Sequence, residues 1–177
     1  MTTLRRGRSP EARPTLDLRR ARSVALDLLA RKPWTRRELT GRLRRRGAPA
    51  DVADAVVAEL ESRGYVDDGA FATIWAESRA RGRSLGRERL REELRARGVA
   101  RPLVEAALAR AFEDTDELTR AQAAAMRRVA TLRRQDPVQV VRRLHDYLRR
   151  RGYPVHVVRQ VLRAVCRDAA PEGAAEL

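Results

Sequence analysis

The sequence predicts an all-α protein of three tandem three-helix units, about 50 residues each, stacked into an elongated, curved helical array. Three observations predict it. Leucine pairs spaced by four recur, each followed four residues later by glycine: Leu39, Leu43 and Gly47; Leu90, Leu94 and Gly98; Leu144, Leu148 and Gly152. The glycines lie 51 and 54 residues apart, and apolar residues recur five past them (Val52, Leu103, Val157) and ten past them (Val57, Leu108, Leu162). Aromatic residues make up only 4% of the 177, so the core must be Leu, Val and Ala, which favour helix over strand.

Each element can be justified in order. Val24, Leu28 and Leu29 give the first helix, at about residues 21–31. Thr35-Arg36-Arg37-Glu38 is a capping box, and Trp34 with Leu39 fits a hydrophobic staple, so a second helix runs over 36–46. Leucines at i and i+4 share one face of it. Gly47 stops that helix, Pro49 opens the third over 50–63, and Gly64 closes the unit. The second unit repeats the plan over 69–81 (Phe71, Ile74, Trp75), 86–97 and 101–112, with Pro102 in the first turn of its last helix. The third unit repeats it over 116–134 (Met126, Val129, Leu132), 137–151 behind the cap Asp136-Pro137, and 154–168 from Pro154. The units are then 21–66, 67–114 and 115–168. Residues 1–20 hold six arginines, Gly7, Pro10 and Pro14 without periodicity and are expected to be a flexible basic arm; 169–177 are expected to be a tail.

The inventory argues against catalysis. Lys32 is the lone lysine and sits in Arg31-Lys32-Pro33, so no Walker loop exists. Gly82-Arg83-Ser84-Leu85-Gly86 lacks dinucleotide-loop spacing and a preceding strand. No Gly-x-Ser-x-Gly elbow occurs. His145 and His156 are isolated, so no metal is expected, and no cofactor either. Cys166 follows Val161, Leu162 and Val165 and is expected to be a buried structural thiol. Asp67-Asp68 is expected to cap the helix ahead of Phe71 rather than to perform acid–base chemistry. No run of about 18 apolar residues and no apolar N-terminal segment occur, so a cytoplasmic protein without a membrane span is expected.

Charge points to a polyanionic partner. The formal net charge is +15, from 39 basic against 24 acidic residues, and 38 of the basic residues are arginine. Residues 1–20 and 21–66 each carry a net +4, 67–114 only +1, and 115–177 +6. The second helices concentrate it. Arg44, Arg45 and Arg46 end one, and Arg149, Arg150 and Arg151 end another, with Arg142 and Arg143 upstream. One cation suffices for the helix dipole, so two runs of three are expected to be contact surfaces. Arg87, Arg91 and Arg95 form an i, i+4 stripe in the middle unit, interleaved with Glu88, Glu92 and Glu93. That pattern reads as a salt-bridged face that could also meet a protein surface of mixed charge. A helix-turn-helix reader would place its recognition helix third in a unit. In the first unit that helix carries Asp51, Asp54, Glu59 and Glu61, which the major groove would repel. His156, Arg159, Arg163 and Arg167 make the third unit less hostile.

Gly64-Tyr65-Val66-Asp67-Asp68, Phe71-Ala72, Arg79, Gly86, Arg89-Leu90, Glu93-Leu94 and Gly98-Val99 resemble, in order and spacing, the central motif of the RecX family. Ala25-Leu26, Arg36, Glu38-Leu39, Leu43 and Gly47 fit its first unit; residues 115–168 match only in pattern. The resemblance covers about residues 21–168, whereas the extreme arginine content and the basic arm are peculiar to this chain. It implies a regulator of the RecA recombinase, hence of homologous recombination, DNA repair and the SOS response. Such a regulator is non-catalytic, without cofactor, and is expected to be monomeric. It lies in the groove of a RecA–single-stranded DNA filament and restrains ATPase activity, strand exchange and filament growth. Weak, salt-dependent contact with single-stranded DNA is expected alongside. A general single-stranded nucleic-acid-binding helical repeat without a recombinase partner is the alternative. A third is a structural adaptor whose charge reflects genome composition.

Overall fold

The computed structural model describes residues 15–132 and 136–168, and among these every regular element is helical. The chain divides into two compact units, residues 1–67 and 68–177. The first contains α1 (Leu18–Leu29), α2 (Arg36–Arg45) and α3 (Ala50–Ser62). The second contains α4 (Asp68–Gly82), α5 (Arg87–Ala96), α6 (Arg101–Ala111), α7 (Glu117–Ala130), α8 (Pro137–Arg150) and α9 (Val155–Asp168). Most of the expected arm, the end of the span predicted to 134, and the tail lie outside the described residues.

Three hydrophobic clusters correspond to three helix triplets, α1–α3, α4–α6 and α7–α9. All six repeat leucines, Leu39, Leu43, Leu90, Leu94, Leu144 and Leu148, are fully buried. Gly47, Gly98 and Gly152 follow at φ 95°, 87° and 82°, the left-handed conformation that ends a helix without a β-carbon penalty. Thr35 Oγ1 accepts from Glu38 N at 3.2 Å, and Glu38 Oε2 accepts from Thr35 N at 3.4 Å, completing the expected box. Asp136 accepts from Val138 N ahead of Pro137.

Four expectations shift. Helix α1 starts at Leu18, three residues early, because the Asp17 carboxylate accepts from Arg20 N at 2.8 Å and caps it. The core face of each first helix is alanine: Ala21 and Ala25, Ala72 and Ala76, and Ala121, Ala124 and Ala125 have no exposed surface. Ile74 and Met126, expected inside, are 63% and 60% exposed. Alanine lets a helix approach its neighbours closely, which leaves no room there for larger side chains. All three third helices bury the residue six past the glycine (Ala53, Val104, Val158); of those five past it, Val157 is buried, Val52 half-buried and Leu103 exposed. Cys166 is exposed: α9 buries Val157, Val158 and Val161, and that stripe has thinned by the last turn.

A joint between the second and third triplets, both within residues 68–177, was not foreseen. Gly86 N donates to Arg151 O at 2.7 Å. Helix α5 has no side-chain cap from its own N-cap residue; Glu117 of α7 supplies one, accepting from Arg87 N at 2.9 Å. Burial raises the Glu117 pKa, opposed by that backbone hydrogen bond. Tyr153, fully buried, donates its phenol hydrogen to Ser84 O at 3.0 Å, and burial pushes its pKa up to about 12. Arg127 Nη2 donates to Ser84 Oγ at 2.6 Å. Ser84 itself is buried at φ 49°. The two chains of backbone touch: a β-carbon on Gly86 would lie 2.6 Å from Gly152 O, and one on Gly152 would lie 2.3 Å from Arg89 N.

Candidate nucleic-acid interface

The arginine-rich ends of α2 and α8 are built alike. A leucine pair faces the core, the helix runs out through consecutive arginines, and a left-handed glycine turns the chain away. Arg44, Arg45 and Arg46 are all exposed, as are Arg149 and Arg150, with Arg151 half-buried. Arg46 and Arg151 are the C-cap residues themselves. Arg142 and Arg143 are exposed on the same helix as the second run. Arg142 borders a shallow apolar groove of about 490 Å³ with Val138, Val141, His145 and Leu162.

The six arginines are not equivalent. Arg149 Nη1 donates to Tyr153 O at 2.9 Å, so it holds the turn after α8. Arg151 lies over the Tyr147 ring at 4.3 Å, with Arg128 at 5.7 Å. Arg150 and Arg151 line an open cleft of about 440 Å³ with Gly82, Arg83, Leu85 and Tyr147. Arg83 was missed in the sequence. Its signal was the pair Gly82 and Gly86 around a short aperiodic stretch, set aside because it matches no nucleotide loop. The stretch instead turns the chain from α4 into α5 against the end of α8.

The middle stripe is a structural network. Arg91 donates from Nε and Nη2 to the two carboxylate oxygens of Glu105 at 2.8 and 2.9 Å, and from Nη1 to Glu88 at 2.6 Å. These hydrogen bonds raise the Arg91 pKa, and the Arg91 bond lowers that of Glu105. Arg87 stacks on Phe112 at 4.7 Å. Of the stripe, only Arg95 is exposed. Arg79 and Arg97 lie over the Trp75 ring at 3.2 and 3.7 Å, and Glu93 takes both the Trp75 indole N–H and the Arg79 guanidinium. Desolvation lowers the Arg79 pKa. The balanced middle unit thus holds α4, α5 and α6 together with its own charges.

Arg91 is 21% exposed rather than solvated, so Arg91→Ala is expected to cost about 1 kcal/mol instead of a few tenths. Urea unfolding at pH 7 measures it. Because the Glu105 pKa is depressed in the folded state, this contribution is present at neutral pH. It is lost as pH falls through that depressed value, so the difference between wild type and variant narrows in acid.

Among the described residues no group of three or more His, Cys, Asp and Glu could hold a metal ion. Among them, too, no helix is long and apolar enough to cross a membrane. Family models for the first, second and third three-helix domains of RecX match residues 21–60, 67–108 and 114–162. Regulatory protein RecX of Streptomyces lividans is 38% identical over 160 residues, covering 88% of this chain and 85% of that one. The Thermobifida fusca protein of the same name is 43% identical over 145 residues, covering 81% and 77%. The crystal structure of RecX from Lactobacillus salivarius superposes with a TM-score of 0.72 at 15% identity, over 85% of this chain and 97% of that one. A second crystal structure, of regulatory protein RecX, gives 0.73 at 19% identity over 81% and 72%. Matching helix triplets in order along nearly its whole described length, this chain belongs to the RecX family of regulatory proteins.

Proposed function

We propose that this chain binds RecA–single-stranded DNA filaments in their groove and inhibits RecA ATPase, strand exchange and filament growth. The observation that carries the reading is the pairing of tandem helix triplets with arginine runs at the ends of α2 and α8, exposed at every position but Arg151. Triplets in series can engage successive filament protomers, so weak contacts combine through effective concentration. Arginines at both ends bind phosphate or acidic protein surfaces bidentately. The middle triplet, internally salt-bridged, packs on protein.

The test is steady-state ATP hydrolysis by RecA on single-stranded DNA with increasing amounts of this protein. Turnover falls for the wild type. It falls far less for Arg44→Ala/Arg45→Ala/Arg46→Ala and for Arg150→Ala/Arg151→Ala, with circular dichroism unchanged. Arg149 is left intact because it holds the Tyr153 carbonyl. Unchanged RecA turnover with wild-type protein, alongside tight binding to bare single strands, favours the alternative of a general nucleic-acid-binding repeat.

A further inference from the structure

The cleft where the loop after α4 meets the end of α8 concentrates unmatched positive charge. Three of its six lining residues, Arg83, Arg150 and Arg151, are guanidinium groups, and no carboxylate lines it. Among the described residues, Arg83 and Arg150 make no side-chain ion pair or hydrogen bond, and the Arg151 guanidinium lies over the Tyr147 ring. Some arginines of residues 68–168 are matched to acids, Arg91 to Glu105 and Glu88, Arg79 to Glu93, Arg89 to Glu92 and Glu93, Arg110 to Glu77, whereas this cleft gathers three with no carboxylate in its lining. Three like charges gathered without a counter-ion repel one another, and a bound anion relieves that repulsion.

The cleft also holds a ring. Tyr147 lines it together with Arg151, whose guanidinium is stacked 4.3 Å over the ring. Phosphate alone needs no aromatic. A ring and a planar guanidinium beside phosphate-binding groups suit a nucleotide whose base is unstacked. The volume, about 440 Å³, is large enough to seat one nucleotide. An acidic peptide would use the arginines but not the stacking surface.

The floor is rigid. Tyr153 fixes Ser84 O, Arg127 fixes Ser84 Oγ, and Gly86 N is tied to Arg151 O. These bonds hold the loop carrying Arg83 against the turn carrying Arg150 and Arg151, so the guanidinium groups are gathered before any ligand arrives.

We propose that the cleft formed by Arg83, Tyr147, Arg150 and Arg151 is a nucleotide-binding subsite for single-stranded nucleic acid, with the arginines on the phosphodiester and a base stacked beside Tyr147. This deepens the filament reading by naming which residues take the strand, and it leaves Arg44–Arg46 for other contacts.

The experiment is fluorescence anisotropy of the full chain with a labelled oligothymidylate and with an abasic strand of equal length, over a salt series. Arg83→Gln/Arg150→Gln should weaken oligothymidylate binding about tenfold and flatten the slope of log K on log salt by roughly 1.4, from about 0.7 per phosphate lost. Tyr147→Leu should weaken oligothymidylate about five- to tenfold and leave the abasic strand unchanged. Tyr147→Phe should bind as wild type. Polyglutamate should compete poorly. An unchanged salt slope in the double variant, equal loss on both strands for Tyr147→Leu, or full competition by polyglutamate overturns the subsite. RecA turnover measured on the same samples separates the two readings. A wild-type protein that binds oligothymidylate through this cleft but leaves RecA unaffected sinks the filament reading and keeps the subsite. Variants that inhibit RecA fully and bind strands as wild type sink the subsite and keep the filament reading.

Discussion

Gly152→Ala should destabilise residues 68–168 by about 3–5 kcal/mol, the sum of left-handed backbone strain and a clash that no rotamer relieves. The glycine sits at φ 82°, and an added β-carbon would meet Arg89 N at 2.3 Å and Arg89 Cα at 2.9 Å. Backbone atoms cannot swing aside, so either the turn after α8 unwinds or α5 moves. Two other glycines separate the contributions. Gly64 has φ 75° with nothing within 4 Å of its added β-carbon, so Gly64→Ala isolates the backbone strain, about 1–2 kcal/mol. Gly86 has an ordinary φ of −81°, so Gly86→Ala isolates the clash with Gly152 O. Thermal melts of the three variants should rank Gly152→Ala lowest. Equal melting temperatures for Gly152→Ala and Gly64→Ala would show that the close approach contributes nothing.

Leu94→Ala should cost about 2–5 kcal/mol, through lost burial and the cavity left behind. Leu94 is fully buried among Phe71, Ala76, Leu90, Val104 and Leu108. Leu103→Ala is the control: Leu103 stands at a repeat-matched position but is 38% exposed, so its loss should be under about 1 kcal/mol. Urea denaturation midpoints measure both. A small effect at Leu94 would mean that the leucine register is wrong.

The six repeat leucines, the four left-handed glycines and the Thr35 box were legible because each is tied to a rule local in sequence. A leucine pair at i and i+4 has one helical face to share, and a glycine after a helix has one common use. The alanine faces of α1, α4 and α7 were not legible. Alanine is abundant throughout this chain, so Ala72 and Ala76 are marked as core only by how closely another helix passes. Ile74 and Trp75 drew attention by size, yet Ile74 is exposed and Trp75 is half-buried between two arginines. In the third helices Val57, Leu108 and Val157 are buried as the repeat implies, whereas Val52, Leu103 and Leu162 are not fully buried; adjacent apolar residues such as Val56 with Val57 and Val157 with Val158 leave the pattern alone unable to fix the face to one residue. At the candidate interface the runs Arg44–Arg46 and Arg149–Arg151 were legible from charge. Arg83 was not, since it comes beside Arg150 and Arg151 only through a joint about 65 residues apart in sequence, and Tyr147, one helical turn before Arg151, stands out only once Arg83 is brought to that turn. Arg91 belonged to the expected stripe, but its partner Glu105 lies on the next helix, outside any i, i+4 relation.

The joint at Gly86 and Gly152 is made from main chain. Its hydrogen bond runs from one amide to one carbonyl, and its closest approaches are to Gly152 O and Arg89 N. This central part of the seam carries almost no side-chain code, and the side chains that brace it are few: Glu117, Tyr153 and Arg127. Where two surfaces interlock through side chains, a change on one side demands an answering change on the other. Here the other surrounding side chains can drift in composition while the seam persists, provided the two glycines keep a hydrogen in place of a side chain and Glu117, Tyr153 and Arg127 keep their hydrogen bonds. A sequence whose basic residues are arginine in all but one case can therefore keep the same assembly of helices, with its chemical character free to follow whatever its surfaces must meet.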